Sequence, residues 1–288
     1  MKRIILGFFF LACCADPASA FTLSNFDTPE SCVVDPADGY YYISNINGGP
    51  TDKDGNGYIS KVNASGSLVI QKFIGGKEGD PVLNAPKGLA IVGKTLYVTD
   101  IDALKGFDKE TGKQVLNLDL SKYKAKFLND MSADAKGVLY LSDTMANLIL
   151  IVNPLKADVR VLKEGAELGG PNGVLVNPKS KNLVIVTWGS GRILEMMPSG
   201  SLHVLKRDLK ALDGADLDAA GNLYVSSFEK GEIYKISNYG RGPISLFMSG
   251  LTTPADISCD RKKSELLVPS FKGNTVATVP LQKAKLSG

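Results

Sequence analysis

The chain has 288 residues, with 33 Lys and Arg against 30 Asp and Glu and a formal net charge of +3. That balance excludes the strongly basic surface that a nucleic-acid or anionic-membrane partner would call for. The length is ample for one domain with a large core.

The first twenty residues read MKRIILGFFFLACCADPASA. Lys2 and Arg3 form a basic start, Ile4 to Cys14 an apolar stretch, and Ala18-Ser19-Ala20 a small-residue cleavage site. This pattern predicts a secretory signal peptide over residues 1–20, cleaved before Phe21 near Ala20, and a periplasmic or secreted product. The apolar stretch is too short to span a bilayer, and no later stretch is long and apolar enough, so no transmembrane segment is expected. Two of the four cysteines lie in this leader. Cys32 and Cys259 remain, in an oxidising compartment, where a disulfide between them and a pair of buried thiols are both open.

Residues 21–288 show almost no helical periodicity. Short runs rich in Val, Ile, Leu and Tyr are punctuated by Gly, Asn and Asp, which is an all-β pattern. The runs repeat. PESCVVDPADGYYYIS, PKGLAIVGKTLYVTD, NDMSADAKGVLYLSD, PNGVLVNPKSKNLVIVT, DGADLDAAGNLYVSS and PADISCDRKKSELLVPS follow one template of strand, turn and strand. Third strands follow (NLILIVN, GRILEMM, GEIYKIS, NTVATVP), then fourth strands (VRVLK, SLHVLK, ISLFM). Six units of four antiparallel strands predict a single six-bladed β-propeller domain over residues 21–288. The last unit is one strand short, and the leading FTLSNF is placed to complete it and close the ring.

Within the first unit, residues 52–63 read DKDGNGYISKVN, with oxygens at positions one, three and five and glycine at six, as an EF-hand calcium loop begins. Position twelve is Asn63 where that motif wants glutamate, and no helices flank it. A Gly/Asn/Asp-rich turn feeding a strand is the reading that fits. The repeat agrees. The aligned positions Glu30, Lys87, Asn129, Asn172, Asp213 and Ala255 are separated by 57, 42, 43, 41 and 42 residues. The excess in the first step lies where DKDGNG interrupts blade one, so the loop is expected to form a rim over one mouth of the propeller.

Each aligned position opens an innermost strand, so the six are expected to face one another at the mouth of the central channel. Glu30, Asn129, Asn172 and Asp213 are all oxygen donors. Two carboxylates and two carboxamides suit a hard divalent cation, calcium first, with magnesium, manganese or zinc as alternatives. Lys87 is the one cation of the ring, placed to bind a substrate carboxylate or a developing oxyanion, or to balance the acids. Trp188, in the loop after the second strand of blade four, is expected on the same face as the ring, where it, Tyr58, Phe228 and Phe271 either line the substrate mouth or pack between blades. His203, the only histidine, falls in an outermost strand, which argues against a Ser-His-Asp triad or a His-ligated metal.

The segments TPESCVVDP, FLND, GGPNGVLVNP and LDGADLDAAGNLYVS resemble the senescence-marker-protein, gluconolactonase and luciferin-regenerating-enzyme family of six-bladed propellers. The likeness spans essentially all of residues 21–288. It implies a divalent metal held by Glu30, Asn129, Asn172 and Asp213, and hydrolysis of lactones or related esters. Sugar-lactone members typically carry an arginine two residues before the first of these asparagines, where Phe127 stands here, which shifts the expected substrate toward a more apolar lactone or ester. Asp213, or Asp130 beside Asn129, is the expected general base. The expectation is therefore an exported, monomeric, calcium-dependent hydrolase of a small-molecule lactone or ester. The alternative is a non-catalytic binding propeller with a structural calcium.

Overall fold

A computed structural model describes residues 21–281. The expected signal peptide, residues 1–20, lies outside the described residues. Among those described, no helix is long and apolar enough to cross a membrane.

Six four-stranded antiparallel sheets surround a central channel. Blades one to five occupy residues 29–75, 86–119, 128–164, 171–206 and 212–248, each with its strands in sequence order from the inside outward. Blade six is built from residues 258–280 and is completed by Thr22–Ser24, which pairs with Thr275–Pro280 in the register Thr22↔Ala277. The leading strand thus closes the ring as the repeat predicts.

The template residues have local reasons. In DAKG and DAAGN the Asp side chain closes the first hairpin: Asp134 Oδ1 accepts from the amides of Lys136 and Val138, and Asp218 Oδ1 from those of Ala220 and Asn222. The glycine that follows takes a positive φ, 77° at Gly137 and 79° at Gly221, which a side chain would oppose. Second strands are buried along nearly their whole length, as in Tyr41–Asn45 and Leu223–Ser227, whereas outer strands such as Ile244–Met248 are half exposed. The apolar cores lie between blades. Tyr42, Ile59 and Ile74 of blade one pack on Leu89, Leu96 and Phe107 of blade two, and Tyr224 and Ile233 of blade five on Ile257 and Leu266 of blade six.

Hydroxyls on second strands tie each of three blades to the inner edge of the next. Thr99 of blade two donates to Asn129 O of blade three, Ser142 of blade three to Asn172 O of blade four, and Ser226 of blade five to Ala255 O at the start of blade six. Cys32 and Cys259 are both free and buried, on innermost strands of blades one and six. Of the two readings left open for them, the structure carries the buried thiols. Burial raises the pKa of both, so neither is a ready nucleophile.

Candidate functional site

Every innermost strand of blades one to five breaks register at the same place. The ladder shifts between Pro29 and Cys32, Pro86 and Leu89, Leu128 and Met131, Pro171 and Val174, and Leu212 and Ala215. The residue just inside each break is the aligned one: Glu30, Lys87, Asn129, Asn172 or Asp213. A bulge re-aims a side chain that a regular strand would set against its neighbours, and here it turns five of them into one cavity. All five line a pocket of about 490 Å³ at one mouth of the channel. Ala255 is buried and does not line it.

The residue after each second strand forms a wider ring above the first. Ile46, Thr144, Trp188, Phe228 and Phe271 line the pocket, while the sixth, Ile101, is buried beside it. Trp188, Phe228 and Phe271 form a continuous aromatic wall across blades four to six, with centroid separations of 5.3 and 5.6 Å. Phe127 and Met145 add to the apolar lining, and Pro50 and Thr51 of the inserted loop complete the rim. Tyr58 does not belong to it. Its ring is fully buried and its hydroxyl donates to Asp27 at 2.6 Å.

The floor is electrostatically unusual. Glu30 Oε2, Asn129 Oδ1, Asn172 Oδ1 and Asp213 Oδ1 are buried and have no hydrogen-bond partner. They are four of the eight such side-chain atoms among the described residues, one from each oxygen-bearing ring member. Buried polar atoms in native proteins are almost always satisfied, so four orphans on one floor mark a place for something that accepts lone pairs. Burial, and then the neighbouring acids Asp213 and Asp256, raise the Glu30 carboxyl well above its ordinary range, with Lys87 opposing. Asp213 is raised by burial and by Asp256, and the Asn172 carboxamide offsets part of the rise. A divalent cation would satisfy the orphans and relieve this crowding, and all-oxygen donors suit calcium or magnesium. Among the described residues, no three or more His, Cys, Asp or Glu side chains group to hold a metal; the ring sets two carboxylates beside two amides instead.

Lys87 is 1% exposed, donates to Ala85 O at 3.0 Å and lies 4.4 Å from the Phe127 ring centroid. Burial lowers its pKa to about 8 against the pull of Glu30. It makes no salt bridge among the described residues, and its charge offsets part of the rise at Glu30 without a direct ion pair. Asp130, offered by the sequence as an alternative base, is turned away from the pocket. Successive strand residues face opposite ways, and Asp130 lines a second cavity at the other end of the channel, with Asp256. Its oxygens accept from the Met131 and Val174 amides at 2.6 and 2.7 Å. In the DKDGNG loop Asp54 accepts from Asn56 Nδ2 at 2.7 Å and Lys53 pairs with Asp102. Among the described residues, Asn56 Oδ1 is the one buried side-chain oxygen of this loop without a partner. Ile46, Thr144 and Met145 were not anticipated; the signal that finds the first two is their shared register with Trp188, Phe228 and Phe271.

The chain is similar in structure to virginiamycin B lyase from Staphylococcus aureus (TM-score 0.66, 14% identity, covering 92% of this chain and 99% of that one). It is also similar to a catalytically inactive form of that lyase, with one histidine replaced by alanine, bound to quinupristin (TM-score 0.63, 15% identity, 92% and 99%). A third likeness is to a protein of unknown function from Bacteroides thetaiotaomicron (TM-score 0.69, 12% identity, 91% and 72%). No protein-family model and no curated protein sequence matches. At these identities the likenesses establish the six-bladed propeller. They do not extend to the gluconolactonase-like family that the motifs resemble.

Proposed function

We propose that the protein is an exported, divalent-cation-dependent hydrolase of apolar lactones or related esters, with calcium as the preferred cation. The observation that carries this reading is the set of four orphaned oxygens on the pocket floor, on Glu30, Asn129, Asn172 and Asp213. These four would hold the cation. Bound there, it would supply Lewis acidity toward a carbonyl oxygen.

The chain's own residues account for the rest. Trp188, Phe228 and Phe271 seat the apolar part of the substrate and exclude water around it. Asp213 takes the proton of the attacking water as general base. The water oxygen bonds to the acyl carbon, the ester C–O bond breaks, and the proton held on Asp213 passes to the departing alkoxide oxygen. Lys87 Nζ is the donor available to negative charge developing at the reacting oxygen. Above the floor the only hydroxyls on the wall are those of Thr51 and Thr144, so a polyhydroxylated sugar lactone would leave most of its hydroxyls unpaired.

The structural neighbours named as lyases share the fold, and one of them is inactive once a histidine is replaced. The single histidine here, His203, is exposed on the outermost strand Leu202–Lys206. A carboxylate, not an imidazole, is the base this pocket offers, which favours hydrolysis over a histidine-dependent reaction.

A panel of aryl esters, alkyl-substituted lactones and gluconolactone, assayed with calcium and with a chelator, tests the reading. Turnover of the apolar members that disappears on chelation is expected. Turnover that survives chelation contradicts it. A calcium-raised melting temperature with no turnover anywhere would favour a binding propeller.

A further inference from the structure

We propose that Thr144 is a positioning residue that fixes which way the Asn129 carboxamide faces and so presents Asn129 Oδ1 to the pocket floor. The inference rests on reading the floor as a cation site. It follows from the single proton of the Thr144 hydroxyl. That proton is donated to Pro171 O at 2.8 Å. The hydroxyl oxygen then has only lone pairs left, and the Asn129 group facing it at 3.1 Å must be the Nδ2 donor. Turning the carboxamide over would set Asn129 Oδ1 against Thr144 Oγ1 with no proton between them, unless Pro171 O were abandoned in its place. The carbonyl oxygen is therefore directed to the other side, where it is buried and without a partner.

The hydroxyl is itself held from behind, because Thr144 N donates to Phe127 O at 3.1 Å. Pro171 immediately precedes Asn172, so one hydroxyl ties together the segments that carry both ring carboxamides, across blades three and four. The surrounding register sharpens the point. The equivalent residues in the other five blades are Ile46, Ile101, Trp188, Phe228 and Phe271, all apolar. A wall that served only to seat an apolar substrate would need no hydroxyl in blade three. The exception falls on blade three, whose ring residue is one of the two asparagines and whose carboxamide the hydroxyl touches directly.

Isothermal titration with calcium chloride, combined with the side-chain amide resonances of Asn129 in cation-free ¹⁵N-labelled protein, tests this on wild type, Thr144→Val and Thr144→Ser. Thr144→Val keeps the shape and is expected to weaken calcium binding about 10- to 100-fold and to shift the Asn129 amide resonances. Thr144→Ser is expected to restore both. Should Thr144→Val not fold, Thr144→Ala carries the same expectation. An unchanged Asn129 resonance, or an unchanged calcium affinity beside a wild type that binds, overturns the proposal. A wild type that binds no calcium overturns the cation reading instead; the resonances alone then decide the role of Thr144, a shift upholding it and no shift overturning it.

Discussion

Replacing Asp213 by alanine is expected to lower kcat/KM on an apolar lactone by about 10³-fold, within the range that removal of a positioned general base produces. Asp213→Asn, which keeps the shape and one carbonyl oxygen but not the basicity, is expected to lose a similar factor. Neither change should harm the fold. Asp213 Oδ1 has no partner, and burial and Asp256 both work against its charge. In the absence of a cation its removal relieves a buried repulsion rather than breaking a satisfied pair. The cation-free melting temperature of both variants should therefore equal or exceed that of wild type while activity is lost. Activity within tenfold of wild type, or loss only in step with unfolding, would remove Asp213 from the base role.

The largest stability effect is expected one residue further along the same strand. A Cβ added at Gly214 would lie 2.5 Å from Asp256 Cα, and closer still to Ile257 N. Both are backbone atoms of the next blade, which cannot swing aside as a side chain can. Gly173, 2.5 Å from Asp213 O, and Gly88, 2.6 Å from Asn129 O, occupy the same place in their blades. The close approach lets successive inner strands pack around a narrow channel, and it is why the residue after each ring position is glycine in three blades. Gly214→Ala is expected to cost about 3 kcal/mol, which in a domain of this size lowers the melting temperature by about 6–12 °C. A shift under about 2 °C, on the same scale, would show that the strands have slack there.

The blades were legible because their cause is local. Alternating apolar residues, Asp-closed hairpins and positive-φ glycines recur at a nearly constant spacing, and closure of the ring then aligns equivalent positions without further information. The ring of Glu30, Lys87, Asn129, Asn172 and Asp213 follows from that alignment, and the long first step located the inserted loop. What was not legible depended on side-chain direction. Asp130 is adjacent to Asn129 in sequence and on the opposite side of the strand in space. Tyr58 begins a third strand and turns inward to Asp27 rather than out to the mouth. Ile46 and Thr144 share a register with three aromatic residues but no chemistry with them, so residue type alone did not single them out. The fate of Cys32 and Cys259 rests on the geometry between two blades, which spacing in the chain does not specify.

The most direct test of the channel-mouth cation site is calcium titration, by calorimetry, into three chelator-treated proteins: wild type, Glu30→Gln, and a loop variant carrying Asp52→Ala and Asp54→Ala. The loop lacks the closing glutamate of an EF-hand, and its Asp54 is engaged with Asn56, so any binding there should be weak, on the order of millimolar. One tight site in wild type, kept in the loop variant and lost in Glu30→Gln, is the expected result. A tight site that survives Glu30→Gln and vanishes with the loop aspartates would place the calcium in DKDGNG and contradict the channel site.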